Sequence, residues 1–342
     1  MLVNGQSPRC SKIAMLEVMP LRSLLCCLAL VAAPFALAQS VPDSVEGHRA
    51  AAKAAAGKDL SGLYAAACPE PAPAGAAAGR GGRGPRPAPP REEWYAEPAK
   101  VFDNLYFLGT KVHEAWAVTT SDGIIIIDTL YSYAGEPEII EGLKKLGLDP
   151  KNIKYVVVSH GHGDHHAAAK MLQDEFHPHL IMGPADWDLV ERDTRNPMPK
   201  RDMIAADGEK LKLGDTTLTL YITPGHTPST ISTLVAVKDN GRAHLAAEWG
   251  GTALSPATPI PMLEAYIKSA QRFRDVAVGA GADVIITNHT AFDGALAKIA
   301  ALKQRKPGDP NPYVVGKQTV QRYLTVAEEC GKAMLVEAKA RQ

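Results

Sequence analysis

The most constraining feature of this 342-residue chain is a run of metal-ligand residues that follows a buried apolar strand. The predicted strand 153–158 leads directly into residues 159–166, Ser-His-Gly-His-Gly-Asp-His-His. Imidazole and carboxylate groups bind divalent borderline metals, and alternating positions of a tight loop can converge on an ion. The loop offers four such groups: His160, His162, Asp164 and His165. Four groups exceed what one open catalytic ion usually takes from one loop, so the pattern indicates two adjacent ions.

Two further histidines stand where predicted strands end. His226 follows the strand 217–222, and His289 follows the strand 283–286. Each histidine alone would more often cap an element or lie in a core. Because both share their strand-end placement with the metal-ligand loop, we expect them to complete a set of six candidate ligands, three for each ion.

Strands and helices alternate from about residue 94 onwards, which favours a layered α/β fold over an all-α or all-β one. Strands are predicted at residues 105–108, 115–119, 124–127, 153–158, 180–182, 217–222, 231–237, 243–246 and 283–287. Helices are predicted at residues 137–146, 166–176, 262–278, 294–303 and 319–338.

Residues 1–38 have the pattern of a secretory signal peptide. An apolar run at residues 24–38 follows Arg22 and ends in Ala36-Leu37-Ala38. A membrane anchor is the alternative, but the run is shorter than the roughly 20 residues that a helix needs to cross a bilayer. We therefore expect export by a cleavable signal peptide, to the periplasm or the medium, with no stable membrane anchor after cleavage.

The chain after residue 38 divides by composition into three parts. Residues 39–68 are rich in alanine and predict an N-terminal helical extension. Residues 69–92 predict a linker, because residues 69–90 contain seven Pro, five Gly and six Ala and cannot bury a core. Residues 93–342 are then the predicted main domain, which contains the metal-ligand loop.

The charge balance and the cysteine content limit which partners the chain can bind and which compartment suits it. Residues 1–38 hold three basic and one acidic residue, so cleavage leaves 34 basic and 36 acidic residues. A net charge of −2 argues against nucleic acid as a partner. The two cysteines that remain, Cys68 and Cys330, form either a disulfide or two unpaired buried thiols, and both possibilities stay open.

Five segments of the domain resemble the metallo-β-lactamase superfamily, over about residues 93–335. They are residues 103–110 (Asp-Asn-Leu-Tyr-Phe-Leu-Gly-Thr), 126–129 (Ile-Ile-Asp-Thr), 159–165, 207–209 (Asp-Gly-Glu) and 224–228 (Pro-Gly-His-Thr-Pro). The resemblance is greatest to the subclass of metallo-β-lactamases whose dizinc site has no cysteine ligand. It implies a four-layer αββα sandwich with two zinc ions at one edge.

The resemblance also implies a role for each candidate ligand. It assigns His160, His162 and His226 to the first zinc ion, and Asp164, His165 and His289 to the second. Asp128 matches a buried aspartate that would steady the metal loop; a plain strand-end turn residue is the alternative. Asp164 would also be catalytic, because as a metal ligand it would orient a hydroxide that bridges the two ions.

The implied function is an exported dizinc hydrolase in which a metal-bridging hydroxide attacks a carbonyl of a small-molecule substrate. A β-lactam ring is the first predicted substrate, and its hydrolysis would give resistance to β-lactam antibiotics. A dizinc hydrolase of another ester, lactone or amide is the alternative. A non-hydrolytic metal-binding or redox protein on the same scaffold is a third possibility. The oligomeric state is left open.

One segment departs from the β-lactamase pattern. Residues 247–251 read Ala-Glu-Trp-Gly-Gly, and Trp249 and Gly251 align with serines that contact the drug's carboxylate in the no-cysteine β-lactamases. We therefore predict β-lactam hydrolysis that is detectable but inefficient. Candidate substrate contacts are His113, Glu248 and Trp249; Glu248 is alternatively an extra metal ligand or an ordinary strand-end carboxylate.

Overall fold

The computed structural model describes residues 41–68 and 88–342. The predicted signal peptide, residues 1–38, and most of the predicted linker, residues 69–87, lie outside the described residues. Among the residues that are described, no helix is both long enough and apolar enough to span a membrane.

Two β-sheets form the centre of the described chain. One sheet has seven strands in the order β1-β2-β3-β4-β5-β6-β7, and the other has five in the order β12-β11-β10-β9-β8. The strands are β1 Ala99–Lys100, β2 Leu105–Phe107, β3 Trp116–Thr120, β4 Gly123–Ile127, β5 Ile153–Val157, β6 His179–Met182, β7 Met203–Ile204, β8 Glu209–Leu213, β9 Thr216–Ile222, β10 Ile231–Asp239, β11 Arg242–Glu248 and β12 Val284–Ile286.

Helices cover the outer faces of both sheets. In chain order they are α1 Val45–Ala56, α2 Ser61–Ala67, α3 Arg91–Trp94, α4 Ser132–Ala134, α5 Glu141–Lys145, α6 Gly163–His166, α7 Ala169–Phe176, α8 Pro184–Arg192, α9 Ile260–Ala280, α10 Thr290–Asp293, α11 Ala295–Gln304 and α12 Lys317–Ala340. A π-helical turn, Gly135–Ile140, joins α4 to α5, and a 3-10 turn, Pro150–Asn152, precedes β5.

The alternation of side chains along the strands produces the layers. In β4, Ile125 and Ile127 pack with residues of the second sheet, whereas Ile124 and Ile126 pack with the helices that follow β4 and β5. Successive side chains of a strand point to opposite faces, so an all-apolar strand such as β4 has both faces covered. The outer face of the second sheet packs on α1, α2, α9 and α12. The order helix, sheet, sheet, helix confirms the predicted four-layer αββα sandwich.

The N-terminal extension lies on the second sheet's helical layer. Residues 45–67, predicted to be helical, form α1 and α2, and α1 packs along α12. A buried pair joins these helices, with Nδ1 of His48 2.7 Å from Oε2 of Glu329. A disulfide between Cys68 and Cys330 closes the same contact, with the two Cα atoms 5.2 Å apart. Of the two states that the sequence left open for these cysteines, the structure contains the bonded one.

Several elements were absent from the sequence-based prediction, and one predicted boundary is shifted. Helix α8 and strands β7 and β8 were not predicted. Helix α3 begins at Arg91, inside the predicted linker, and buries Trp94. The predicted boundary at residue 93 therefore cuts through a short helix, and the division into extension, linker and domain remains a prediction.

Candidate metal centre

Two neighbouring parallel strands deliver the metal-ligand loop to one edge of the first sheet. Ile127 of β4 lies opposite Val157 of β5, and the Asp128 N–H donates to the Val157 carbonyl at 2.9 Å. Asp128 has a φ of 60°, in the left-handed region that Asp tolerates better than most side chains. Its carboxylate accepts hydrogen bonds from Ser159 N at 2.6 Å and Ser159 Oγ at 2.8 Å. The aspartate thus fixes the first residue of the loop.

Three imidazole nitrogens converge in a first group. Nε2 of His226 lies 3.0 Å from Nε2 of His160 and 3.0 Å from Nδ1 of His162. His160 is buried, His226 is half-buried and His162 is exposed. These are the three residues assigned by resemblance to the first ion.

A second group of donors lies beside the first, with the ring centroids of His160 and His165 4.1 Å apart. Oδ2 of Asp164 is 3.2 Å from Nε2 of His165 and 3.5 Å from Nε2 of His289. The two imidazole nitrogens are themselves 3.2 Å apart. The structure therefore brings together all six predicted ligands, in the two groups of three in which they were predicted.

His113 lies against the second group. Its Nε2 is 3.5 Å from Oδ2 of Asp164, and its ring centroid is 5.0 Å from that of His289. Donor atoms of His113, Asp164 and His289 all lie within 4.8 Å of one another. The structure therefore places His113 among the candidate ligands, whereas the sequence indicated only a candidate substrate contact.

Two buried aspartates orient the two donor groups by hydrogen bonds to a candidate ligand and to the loops that carry the ligands. Oδ2 of Asp128 accepts from Nδ1 of His165 at 2.7 Å, which turns Nε2 of that ring towards Asp164. Asp186 joins the two loops of the first group: its Oδ1 accepts from Gly161 N at 2.8 Å, and its Oδ2 accepts from Ser229 N at 2.8 Å. Asp186 was not among the residues predicted from the sequence. A proline at the first turn of α8 was the available signal for the helix that carries it.

The hydrogen bonds of two histidines set which nitrogen carries a proton. Nδ1 of His160 lies 3.0 Å from the Gly250 carbonyl oxygen, and Nδ1 of His226 contacts the Ala253 carbonyl oxygen. A carbonyl oxygen only accepts, so both Nδ1 atoms are donors and both Nε2 atoms carry lone pairs in the neutral rings. These two lone-pair atoms face each other at 3.0 Å. A shared cation removes the repulsion that this arrangement otherwise entails.

Burial favours the neutral form of the His160 and His226 rings. It lowers the pKa of His160 well below its ordinary value, and it lowers the pKa of His226 to about 3. Burial would also lower the pKa of His165, but the carboxylates of Asp164 and Asp128 outweigh it and raise that pKa to about 10. Neutral imidazoles can donate a lone pair to an ion at once, whereas His165 must first release a proton.

The donor spacing fits metal ions in both groups. Nitrogen and oxygen ligands at 2.0–2.2 Å from zinc lie about 2.9–3.5 Å from one another for bond angles near 90–109°. The contacts of 3.0 Å in the first group and 3.2–3.5 Å in the second fall in this range. The donors, imidazole and carboxylate, are also those that suit zinc.

The structure corrects two of the three candidate substrate contacts. Trp249 is 2% exposed and packs against Tyr266 and Phe273 in the second helical layer. Glu248 has no exposed surface, and burial, with the charge of Asp128 adding to it, raises its pKa to about 8. Side chains that are buried in this way do not meet a substrate that enters from solvent.

Gly251 has a packing role beside the first group. A Cβ atom at this position would lie 2.5 Å from Cβ of His226, which is closer than non-bonded carbons approach. The two residues that depart from the β-lactamase pattern therefore have structural roles. Trp249 is a core residue, and Gly251 leaves room for the candidate ligand His226.

The sandwich and the paired His/Asp groups at its edge define a candidate metal-binding scaffold. The model of the metallo-beta-lactamase superfamily matches residues 108–244, and over this segment the chain is similar to that superfamily. Among solved structures, the subclass B3 metallo-beta-lactamase BJP-1 of Bradyrhizobium japonicum superposes with a TM-score of 0.62 at 27% identity. That similarity covers 72% of this chain and 96% of the BJP-1 chain. It confirms the predicted family and fold.

Curated relatives carry other names. The chain is 30% identical over 165 residues to the N-acyl homoserine lactonase AttM of Azorhizobium caulinodans, which covers 43% of this chain and 62% of AttM. It is 32% identical over 121 residues to a hydroxyacylglutathione hydrolase of Xanthomonas axonopodis pv. citri, which covers 35% of this chain and 41% of that protein. The chain thus spans less than two thirds of the length of these relatives. The names of these relatives and of BJP-1 are those of hydrolases with differing substrates.

Proposed function

We propose that the protein is an exported dizinc hydrolase that opens small acyl compounds, with a β-lactam ring as the first candidate substrate. The observation that carries the proposal is the pair of donor groups, which lie side by side and each have the spacing of a metal site. The proposed ligands are His160, His162 and His226 for the first zinc ion and Asp164, His165 and His289 for the second. Zinc, when bound, lowers the pKa of water to about 7 and polarises a carbonyl oxygen.

The chain's own groups would supply orientation. Asp164 contributes Oδ2 to the second group, and its side chain remains 17% exposed. It can therefore accept a hydrogen bond from the attacking water and aim that water at the substrate's carbonyl carbon. Asp128 and Asp186 hold the loops in place, so that this geometry exists before the substrate arrives.

A serine nucleophile has no support at this site. Ser159 Oγ is buried and donates to Asp128 at 2.8 Å, and Ser229 Oγ is buried and donates to Asp186 at 2.7 Å. Neither hydroxyl is both exposed and paired with a free base, which nucleophilic catalysis by serine requires. The hydrolysis that we propose therefore depends on water and metal.

Two substrate classes compete, each favoured by a specific similarity. Similarity over 96% of BJP-1 favours a β-lactam. The 30% identity to AttM, named a lactonase, favours a lactone or another ester. Trp249 and Gly251 supply no hydroxyl for a β-lactam carboxylate, and two charge-assisted hydrogen bonds of about 1.5–3 kcal/mol each would be missing. We therefore expect slow β-lactam turnover with a high KM.

The experiment compares four substrates on one preparation: a penicillin, a carbapenem, an acyl-homoserine lactone and a simple aryl ester. Asp164→Ala and chelator-treated enzyme are the controls, because both should abolish every metal-dependent rate. Measurable but poorly saturating β-lactam hydrolysis would support the first candidate. Activity confined to the lactone or ester would establish the second in its place. Hydrolysis that survives both controls would contradict the proposal as a whole.

Export is the second part of the proposal. It is supported by the signal-like residues 1–38 and by the Cys68–Cys330 disulfide, since disulfides persist mainly in oxidising compartments. Expression of the full chain in a Gram-negative host, followed by cell fractionation and N-terminal sequencing, tests it. A periplasmic protein beginning at Gln39 is expected; an unprocessed cytoplasmic protein would contradict export.

A further inference from the structure

The main chain places His113 opposite His289. The Glu114 N–H donates to the Asn288 carbonyl at 2.9 Å, and the Thr290 N–H donates to the Val112 carbonyl at 3.0 Å. These two bonds flank an isolated antiparallel bridge between His113 and His289. In an antiparallel pair, residues flanked by such bonds form the more closely spaced type, and their side chains lie on the same face. Both imidazoles are therefore aimed at the same place by the backbone.

The position of His113 beside the second group is that of a metal ligand. Three imidazole Nε2 atoms surround one carboxylate oxygen, Oδ2 of Asp164. The distances to this oxygen are 3.5 Å from His113, 3.2 Å from His165 and 3.5 Å from His289. These three distances are close to the separation of two ligands on one tetrahedral ion, about 3.3–3.6 Å for bonds of 2.0–2.2 Å.

The ring of His113 is also held in this orientation from its other side. Tyr131 meets it edge to face, with the ring centroids 5.1 Å apart and the planes at 88°. The His113 side chain is only 15% exposed. A ring that is fixed by a neighbouring aromatic and by the backbone bridge pays little further entropy on binding an ion.

We propose that His113 is a fourth protein ligand of the second metal ion, beside Asp164, His165 and His289. The inference rests on the proposed dizinc site and adds to it a histidine from a separate loop. The second ion then has four protein donors and the first has three, so open coordination positions are concentrated on the first ion. The second ion is expected to bind the more tightly of the two.

The test measures metal binding rather than turnover. Full-length metal-free protein is titrated with Zn²⁺ against a chromophoric chelator, and with Co²⁺ while the visible absorption of the ion is recorded. His113→Ala removes the proposed ligand, and His113→Phe removes the nitrogen but keeps a ring against Tyr131 should the alanine variant fold poorly. His179→Ala is the matched control, because His179 is exposed and pairs with Asp202 outside both groups.

Both His113 variants should lose at least tenfold in affinity for one Zn²⁺ only, and should bind the other ion within twofold of its original affinity. Altered Co²⁺ absorption for the weakened ion is also expected in both His113 variants and not in His179→Ala. Unchanged affinities and spectra with a raised KM would overturn the inference, since His113 would then contact only the substrate. Fewer than two ions on the unsubstituted protein would overturn the dizinc proposal too, and the wild-type titration alone reveals that outcome.

Discussion

At the scale of single residues, the orientation of the candidate ligands depends on carboxylates that do not themselves reach a metal. Asp128 accepts three hydrogen bonds, from Ser159 N, Ser159 Oγ and His165 Nδ1, at 2.6–2.8 Å. Only a carboxylate can accept all three, because an asparagine amide has one accepting oxygen. The residue therefore couples the start of the metal loop to the ring of His165.

Asp128→Asn should weaken the binding of the second zinc ion by about 10–100-fold, since either Ser159 or His165 loses its acceptor. The measurement is a competition titration with a zinc chelator. Asp202→Asn is the control, because it alters a similar Asp–His pair at the exposed His179. Equal zinc affinity in Asp128→Asn and the wild type would show that Asp128 is a plain turn residue.

A buried acid outside the candidate metal centre should make the stability of the fold depend on pH. Burial raises the pKa of Glu138 to about 8 from an ordinary 4.5, so the folded protein holds a proton there that the unfolded chain releases. This contribution to stability is present below pH 4.5 and is lost as the pH rises towards 8. Glu138→Gln removes the dependence, and its Tm relative to wild type should rise by a few degrees between pH 5 and pH 8.5. A constant Tm difference across that range would contradict the raised pKa.

The candidate ligands were predictable from the sequence because their chemistry is local, whereas side-chain directions that depend on other elements were not. The spacing within residues 160–165 determines much of the metal loop by itself. Trp249, by contrast, turns into the core because α9 supplies Tyr266 and Phe273 beneath it. His113 joins the second group because its loop bridges to residues 288–290, a pairing of distant segments that no local pattern records.

Among the strands, too, those with a clear local pattern were predicted, and one that depends on pairing with a neighbour was not. Strands with continuous apolar or alternating residues, such as β4 and β9, were predicted to within two residues. Strand β8 was missed because its sequence, Glu-Lys-Leu-Lys-Leu, has three charged residues in five. It becomes a strand by pairing with β9 across a turn in which Gly214 has a φ of 53°. Tertiary pairing there outweighs a weak local preference.

The disulfide joins two elements that are far apart in sequence, α2 and α12. It links residues separated by 262 positions, so it restricts the unfolded chain strongly. Replacing both Cys68 and Cys330 by Ser should lower the free energy of unfolding by about 2–4 kcal/mol in urea titrations. Zinc content should stay the same, because the bond lies in the outer helical layer of the second sheet. An unfolding free energy unchanged by the double substitution would mean that the packing of α1 on α12 suffices.

At the scale of the whole molecule, each candidate metal site is assembled from both sheets. His160 and His165 follow β5 of the first sheet, whereas His226 follows β9 and His289 follows β12 of the second. An ion held by donors from both halves binds the folded protein and not the unfolded chain. We therefore expect metal binding to be linked to folding, with an ion at either candidate site joining the two sheets.

Removal of the metals should consequently lower the stability of the fold. We expect the Tm of chelator-treated protein to fall by several degrees and to recover when zinc is added back, since zinc at 100 times its Kd stabilises by about 2.7 kcal/mol. Differential scanning calorimetry with and without zinc measures this. The same Tm in both conditions would contradict metal sites that span the sheets.

A two-ion site that carries out hydrolysis can be tested by one titration. Metal-free protein is given zinc in fractions of an equivalent while bound zinc and the hydrolysis of a responsive substrate from the panel are followed together. The structure predicts binding that saturates at two equivalents per chain, with hydrolysis absent before zinc is added and restored by the second equivalent. Saturation at one equivalent, or hydrolysis by the metal-free protein, would contradict it.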